Sequence, residues 1–213
     1  MSLVAGCPRC PTPVARSGTG AGWSCPEHGP IVPLRRPHEA SYEGFAEHLL
    51  SSAGFPTYLP WPMRPGWSVT DFALVGEEPG RTRATLTCCS GTSELDGPVD
   101  MVVVTEEAGT GLGARCAGTL HDDPGDEMGL GPPSVKVRVD SQVVSLWPVS
   151  TSAASGELDR SVVAGEAQGR WLWIVLRPAS AILLLRDDWL LRDVSGLGPP
   201  LVEIPFGGAA PLW

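Results

Sequence analysis

Two short turns near the start of the chain, Cys7-Pro8-Arg9-Cys10 and Cys25-Pro26-Glu27-His28, decide how the N-terminal part folds. Each turn offers two ligands three residues apart, and fourteen residues separate the pairs. Zn²⁺ prefers four Cys sulfur or His nitrogen donors in a closed tetrahedron when its role is structural, and it is commonly held by paired turns of this spacing. The sequence therefore predicts one structural Zn²⁺ per chain, held by Cys7, Cys10, Cys25 and His28.

The residues around the ligands favour the same interpretation. Pro8 and Pro26 each follow a first ligand and stiffen the turn, and Gly29 can adopt the positive φ that closes the second turn. Apolar residues on both sides of the Gly-rich stretch 17–21 predict a hairpin between the turns. Two ligand turns joined by a hairpin resemble a zinc ribbon. Disulfides are the first alternative, and a catalytic zinc is the second, although four protein ligands leave no position for water.

Composition limits the class of protein. The 213 residues suffice for one ordinary domain beside the ribbon, and 26 glycines and 22 prolines favour turns and extended segments. The net charge is −9, yet residues 1–37 carry four arginines against one glutamate. The acidic remainder argues against a broad nucleic-acid surface. Nucleic-acid binding stays open only through the basic ribbon, by Arg9, Arg16, Arg35 and Arg36.

Neither a secretion signal nor a membrane span is recognisable. Met1-Ser2-Leu3 lacks a charged start followed by an apolar run, and nowhere do about 20 apolar residues follow one another. We therefore expect a cytoplasmic protein with reduced thiols.

We expect two domains: residues 1–37, the zinc ribbon with a Pro-rich connector, and residues 38–213, a mainly antiparallel β domain. Apolar residues recur at helical spacing from Glu39 to Ala53, and Gly54 and Pro56 then end the helix. His38 and His48, on or near this helix, are interpreted as surface histidines. The Pro-rich stretch 55–67 predicts an extended strap that covers the sheet, or a partner-binding aromatic surface.

From Ser68 onward the pattern predicts strands joined by short connections. Such strands indicate an antiparallel sheet or barrel-like fold, mostly β, with one long helix. The strand at 170–176 is apolar on both faces and is predicted to be central. A hairpin is predicted between 181–185 and 189–194, turning at the two aspartates. The apolar tail 205–213 is predicted to dock on the body, with an oligomer contact as the alternative. The predicted strands are 68–75, 81–89, 99–106, 135–139, 143–146, 161–167, 170–176, 181–185 and 189–194.

Two loops of the β domain are candidate ligand sites. Gly109–Gly118 is a glycine-rich loop that can open a short helix and cradle phosphate, with Arg115 as an anion ligand, but it lacks the P-loop and dinucleotide spacings. Ser90–Gly97 is a polar loop between strands. An enzyme or small-ligand site would require both loops to meet in one pocket.

The remaining cysteines carry a weaker hypothesis. Cys88, Cys89 and Cys116 with His121 could form a second metal site, or Cys116 could serve as a nucleophile. Cysteine is commonly a buried, small apolar residue, and nothing in the sequence orients a base beside Cys116.

Several motifs resemble an uncharacterised family from high-GC actinobacteria with an N-terminal zinc ribbon. They are Cys-Pro-x-Cys at 7–10, Trp-x-Cys-Pro-x-His-Gly at 23–29, Phe-Pro-Thr-Tyr-Leu-Pro-Trp-Pro at 55–62 and Gly-Arg-Trp-Leu-Trp at 169–173. The resemblance spans the chain and implies a bacterial cytoplasmic protein of unknown function. Members are sometimes labelled phosphotransacetylase-like, but the sequence shows no acyl or phosphate site of the required kind.

The sequence thus favours a non-enzymatic interaction or regulatory module with a structural zinc and a protein partner. We assign no catalytic residue and no further cofactor-binding residue. The alternative is a small-ligand or phosphate-binding protein or enzyme that uses the loops Gly109–Gly118 and Ser90–Gly97.

Overall fold

The structure is a computed structural model that describes residues 4–16, 22–77, 80–119, 121–125, 128–151, 159–186 and 189–213. Its strands are β1 Val4–Gly6, β2 Ala15–Arg16, β3 Trp23–Cys25, β4 Gly29–Ile31, β5 Leu34–Arg36, β6 Tyr58–Pro60, β7 Ser68–Gly76, β8 Thr82–Ser93, β9 Gly97–Glu106, β10 Val135–Val139, β11 Gln142–Pro148, β12 Ser161–Ala167, β13 Arg170–Arg177 and β14 Leu190–Asp193. The helices are α1 Tyr42–Ser51, α2 Leu112–Ala117 and two 3₁₀ segments, Ala179–Arg186 and Pro199–Glu203.

Most strands form one large sheet in the order β1-β5-β7-β8-β9-β13-β12-β11-β10-β14-β6, while β2-β3-β4 form a small separate sheet. Neighbouring strands are antiparallel except for β10 and β14, which are parallel. The sheet curls so that its last strand, β6, lies against β8 and β9. The predicted mostly β fold with a large antiparallel sheet is confirmed.

Eight of the nine predicted strands are observed, with ends shifted by a few residues, and the exception is 181–185. Strand β13 lies between β9 and β12, and Leu172, Trp173 and Ile174 are fully buried on its two faces. The prediction of a central strand apolar on both faces is therefore confirmed.

Helix α1 is shorter than predicted because its ends are set by capping residues. The Ser41 hydroxyl accepts a hydrogen bond from the Gly44 amide at 3.1 Å, so the helix begins at Tyr42 and not at Glu39. Gly54 adopts φ +83° just beyond the last turn. His38 is exposed, as predicted.

The interpretation of His48 as a surface residue is wrong. His48 is only 5% exposed, because it shares the buried face of α1 with Phe45, three residues earlier. Its ring stacks on Phe45, meets Phe72 edge to face, and lies 3.4 Å from the Thr57 hydroxyl. Burial lowers the pKa of His48 to about 3.

The Pro-rich stretch 55–67 packs across β8, in line with the predicted strap, but its residues Tyr58–Pro60 also form the edge strand β6. The hydroxyls of Thr85 and Thr87 on β8 donate to the carbonyls of Pro56 and Tyr58, at 2.6 and 2.7 Å. The strap thereby accepts hydrogen bonds from otherwise buried hydroxyls, which would be costly to leave without partners.

The predicted hairpin between 181–185 and 189–194 is wrong. Residues Ala179–Arg186 form a 3₁₀ helix, in which Ala181 and Leu185 are buried while Leu183 between them is 44% exposed. A strand would put all three side chains on one face. The continuation, β14, pairs with β6 and β10, and the two aspartates at the predicted turn lie outside the described residues.

The two faces of the sheet carry separate cores. One core fills the curl, with α1, the strap and the 3₁₀ segment Ala179–Arg186, and the other lies under α2. In the part of the chain that the structure describes, the helices are too short or too polar to cross a membrane.

The tail 205–213 docks on its own body, as predicted. The amides of Val69 and Gly207 donate to the carbonyls of Pro205 and Val69, at 2.8 and 3.1 Å. The predicted division at residue 37 stays a prediction, and strands from both sides of it, β5 and β7, pair in the large sheet.

Candidate metal centre

Four predicted ligands meet where the small sheet joins the large one. The turn containing Cys7 and Cys10 follows β1, while Cys25 ends β3 and His28 immediately precedes β4. Pairing of β3 with β4 folds the second turn back on itself, and Gly29 has the positive φ expected of it, +67°. The hairpin arms β2 and β3 pair as predicted, and residues 17–21 between them lie outside the described residues.

The ligand atoms of these four residues all lie within 4.8 Å of one another. His28 Nδ1 is 3.6, 3.5 and 3.6 Å from the Sγ atoms of Cys7, Cys10 and Cys25, and the Sγ atoms of Cys10 and Cys25 are 3.6 Å apart. All six cysteines are free thiols, so the disulfide alternative is wrong in this structure. The four residues could hold a metal ion.

Burial within the cluster is uneven. Cys7 and Cys25 are buried, Cys10 is half-buried and His28 is exposed. Burial raises the pKa of the Cys7 thiol to about 11, although the Arg9 amide points at its sulfur from 3.5 Å. A cation between the ligands would provide the charge that keeps this thiol deprotonated at neutral pH.

Two arginines fasten the first ligand turn to the segment around α2. Arg9 donates to the Gly109 carbonyl at 2.7 Å and pairs with Asp122 at 3.3 Å. Arg115, on α2, donates to the Cys7 carbonyl at 2.6 Å. These contacts span about a hundred residues of sequence, and no local pattern predicted them.

Beside Arg115 lies the side chain of Trp213. Its indole nitrogen donates to the Asp71 carboxylate at 2.9 Å, and the guanidinium carbons of Arg36 and Arg115 lie 4.6 and 5.0 Å from the ring centroid. Arg36 also pairs with Asp71 at 2.6 Å. Burial raises the pKa of Asp71, and the nearby Arg36 opposes that shift.

A cleft of about 540 Å³ opens between the first ligand turn and this cluster, and its walls include Cys10, His38, Arg36 and Trp213. A second cavity, of about 590 Å³, lies between the small sheet and α1, with Trp23 and Leu50 in its lining.

The Gly109–Gly118 segment forms the short helix α2, as predicted, but its N-terminus is not open to phosphate. The Glu106 carboxylate accepts hydrogen bonds from the amides of Leu112 and Gly113, at 2.8 and 3.2 Å, and is fully buried. An acidic side chain of the protein therefore occupies the position where an external anion would bind. Burial raises the pKa of Glu106 to about 8.

The predicted ligand Arg115 is committed to Cys7 and Trp213, and the two candidate loops do not meet. The predicted loop Ser90–Gly97 is wrong in extent, because Ser90–Ser93 continue β8 and Gly97 begins β9, which leaves only the turn 94–96. Glu106 ends β9 just before the glycine loop. A ten-residue strand is about 30 Å long, so Ser90–Gly97 and Gly109–Gly118 lie at opposite ends of the sheet. The alternative with both loops in one pocket is therefore wrong.

Cys88, Cys89 and Cys116 are buried, as expected of small apolar residues. Burial raises the pKa of each thiol, that of Cys89 to about 12, so none of them is an activated nucleophile. Among the residues that the structure describes, His121 joins them in no second cluster with metal-ligand geometry.

At least three of the four arginines in residues 1–37 make contacts within the protein. Arg9 contacts Asp122 and backbone carbonyls, and Arg36 contacts Asp71 and Trp213. Arg16 covers the ring of Trp23. These contacts reduce the positive charge available to a nucleic acid.

Comparison with known proteins gives a family and no function. Searches of curated proteins and of solved structures found no match. A family model covers residues 1–212, almost the whole chain. The chain therefore belongs to DUF6758, a family of unknown function.

Proposed function

We propose that the chain is a structural-zinc protein that acts as a non-enzymatic interaction or regulatory module for a protein partner. The observation that carries the metal identity is the spacing of the ligand atoms. Tetrahedral Zn²⁺ with Zn–S about 2.3 Å and Zn–N about 2.05 Å requires S–N edges of about 3.55 Å and S–S edges of about 3.8 Å. The S–N distances are 3.5 to 3.6 Å, and the S–S distance between Cys10 and Cys25 is 3.6 Å.

The ligand set supports zinc in a structural role. Three thiolates and one imidazole suit Zn²⁺ and fill its tetrahedron, so no position remains for a reactive water. The sheet β2-β3-β4 has only two- and three-residue strands, and metal binding would contribute a large part of its folding free energy. Zinc bound by the two turns beside this small sheet would make residues 1–37 the zinc ribbon that the sequence predicts.

A protein of the cytoplasm would keep these thiols reduced and available to the metal. The filled N-terminus of α2 and the separation of the two candidate loops support the non-enzymatic assignment. Within this proposal the ribbon holds its surface in place for a partner and performs no reaction.

Metal analysis of the purified full chain tests the zinc assignment. We expect one zinc per chain in the wild type, near-complete loss in His28→Ala, and no loss in the matched variant His38→Ala, since His38 is exposed and is not a ligand. Substitution with Co²⁺ should give the visible absorption of a tetrahedral thiolate site. Wild-type protein without zinc, or a His28→Ala variant that keeps full zinc affinity, would refute the assignment.

Partner capture tests the second half of the proposal. Wild-type chain and His28→Ala chain are each cross-linked in cells of the source organism, and the products are identified by mass spectrometry. We expect a reproducible protein partner that only the zinc-loaded chain captures. Equal capture by both chains, or no reproducible partner of either, would argue against a zinc-dependent interaction module.

A further inference from the structure

We propose that Arg115 couples occupancy of the metal centre to docking of the C-terminal tail, so that bound zinc holds Trp213 in place at the cleft. This inference rests on the proposed zinc site and deepens it. The unbroken series of contacts begins at a metal ligand, Cys7, and ends at the last residue of the chain.

The first link is between the ligand turn and α2. Arg115 lies on a buried helix, its Nε atom is buried without a hydrogen-bond partner, and its Nη1 atom donates to the Cys7 carbonyl. The Cys7 carbonyl lies in the first ligand turn, which also contains the ligand Cys10. Without a metal the turn loses its cross-link to Cys25 and His28, and Arg115 loses a well-placed acceptor in a partly buried position where an unpaired cation is costly.

The second link is between Arg115 and Trp213. The indole is held by Asp71 at its nitrogen and by two guanidinium groups, Arg36 and Arg115. The neighbouring side chain, Leu212, is 88% exposed, while its carbonyl accepts a hydrogen bond from Arg177, and the preceding residue, Pro211, is buried. Arg115 is thus one of several groups that position Trp213, and it is the one that also contacts the metal-bound turn.

Charge supports the same coupling. Zn²⁺ with three thiolates and a neutral imidazole carries a net charge of −1, and Arg115 supplies a positive charge next to the Cys7 ligand. Zinc binding therefore stabilises the observed position of the Arg115 side chain. The cation–π contact with a docked Trp213 stabilises the same position.

The coupling has a functional consequence, because one cleft wall contains Cys7 and Cys10 and another contains Trp213. Loading the metal would fix both walls of the 540 Å³ cleft, and losing the metal would free both. Thermodynamic linkage also makes the effect reciprocal: a docked tail must strengthen zinc binding by the factor with which zinc strengthens docking.

Zinc affinity provides the first test, by competition with a chelating dye on the full chain. We expect Trp213→Ala and Arg115→Met each to weaken zinc binding about 5- to 20-fold, within the usual range of coupling between sites. Because both changes break one series of contacts, the double variant should bind zinc about as weakly as either single variant. The matched control is Trp61→Ala, which removes another Arg–Trp contact, with Arg192 at 5.5 Å, at the residue that follows β6, the last strand of the large sheet. It should change the affinity less than twofold.

Hydrogen exchange of residues 205–213 provides the second test, with saturating zinc and after chelation. We expect zinc to slow exchange of the tail in the wild type and in Trp61→Ala, but not in Arg115→Met. A chain that binds one zinc but shows the same tail exchange with and without it overturns this inference alone, as does unchanged zinc affinity in Trp213→Ala. A chain that binds no zinc overturns the proposed function and this inference with it.

Discussion

The buried histidine of α1 gives a quantitative prediction about pH. His48 is 5% exposed, and burial lowers its pKa to about 3, so it is neutral in the folded protein across the usual pH range. In the unfolded chain its pKa returns to about 6.5. Between these values the unfolded chain binds more protons than the folded one, so the free energy of unfolding falls as the pH falls from about 6.5 toward 3.

The size of the effect follows from these two pKa values. Between pH 7.5 and pH 5 the contribution of His48 to the free energy of unfolding decreases by about 2 kcal/mol. This figure is set almost entirely by the unfolded pKa, because the folded-state value of about 3 lies well below pH 5. The aromatic neighbours Phe45 and Phe72 offer no compensating charge to a protonated ring.

The assay is urea unfolding of wild type, His48→Phe and the surface control His38→Gln at pH 7.5, 6.5, 5.5 and 5.0. His48→Phe keeps a ring against Phe45 and removes the titrating group, while all other groups titrate alike in the three proteins. We expect the loss of stability toward pH 5 to be about 2 kcal/mol smaller in His48→Phe than in the other two. Equal losses in wild type and His48→Phe would refute the idea that His48 is buried and neutral.

The other predictions concern α2. Gly113→Ala should lower the free energy of unfolding by roughly 3 kcal/mol or more, because the new Cβ would lie 2.3 Å from the indole of the fully buried Trp173. Gly196→Ala, with open space around its Cβ, is the control. Equal urea midpoints of the two variants would refute the packing argument. Glu106→Gln should lower the free energy of unfolding by about 1–3 kcal/mol at pH 5, since Leu112 and Gly113 donate to separate oxygens and the NH2 group that replaces one of them cannot accept. The folded-state pKa of Glu106 is raised to about 8, so the stability that its protonated form contributes is full below about pH 4.5 and is lost as the pH rises through 8. The destabilisation by Glu106→Gln, measured by urea unfolding, should therefore shrink between pH 5 and pH 8. A destabilisation that grows over this range would contradict the raised pKa.

The ligand cluster and most strands could be predicted because their signals are local. Cys7 and Cys10 lie in one turn, and Cys25 and His28 lie in another. Because zinc prefers sulfur and nitrogen ligands, two such turns predict that the four side chains come together around one ion. Strands such as β10, Val135–Val139, show buried and exposed residues in strict alternation.

The wrong predictions arose where a local pattern has two physical readings. A continuous apolar run such as 181–185 fits a buried strand or a helical turn, and only tertiary packing decides between them. His48 could have been found, because it lies three residues after Phe45 and one before Leu49, on the apolar stripe of α1.

The contacts that complete the site could not be predicted from one sequence. Arg115 and Cys7 are 108 residues apart, and Trp213 and Asp71 are 142 residues apart. Each contact involves single residues that belong to no motif and no periodic pattern. Each forms only because the fold brings distant segments of the chain together. The same holds for Glu106, whose carboxylate replaces the external anion that the glycine loop suggested.

One end of the large sheet bears on how the protein behaves at high concentration. At this end of the sheet, the outermost strand β6 is only three residues long and ends in Pro60, which has no amide hydrogen to offer an incoming chain. Long free edges recruit further strands and lead to fibrils, whereas short edges with proline do not. An extended sheet of apolar strands is thus terminated at β6, which protects this edge of the folded molecule against pairing with the backbone of a second chain.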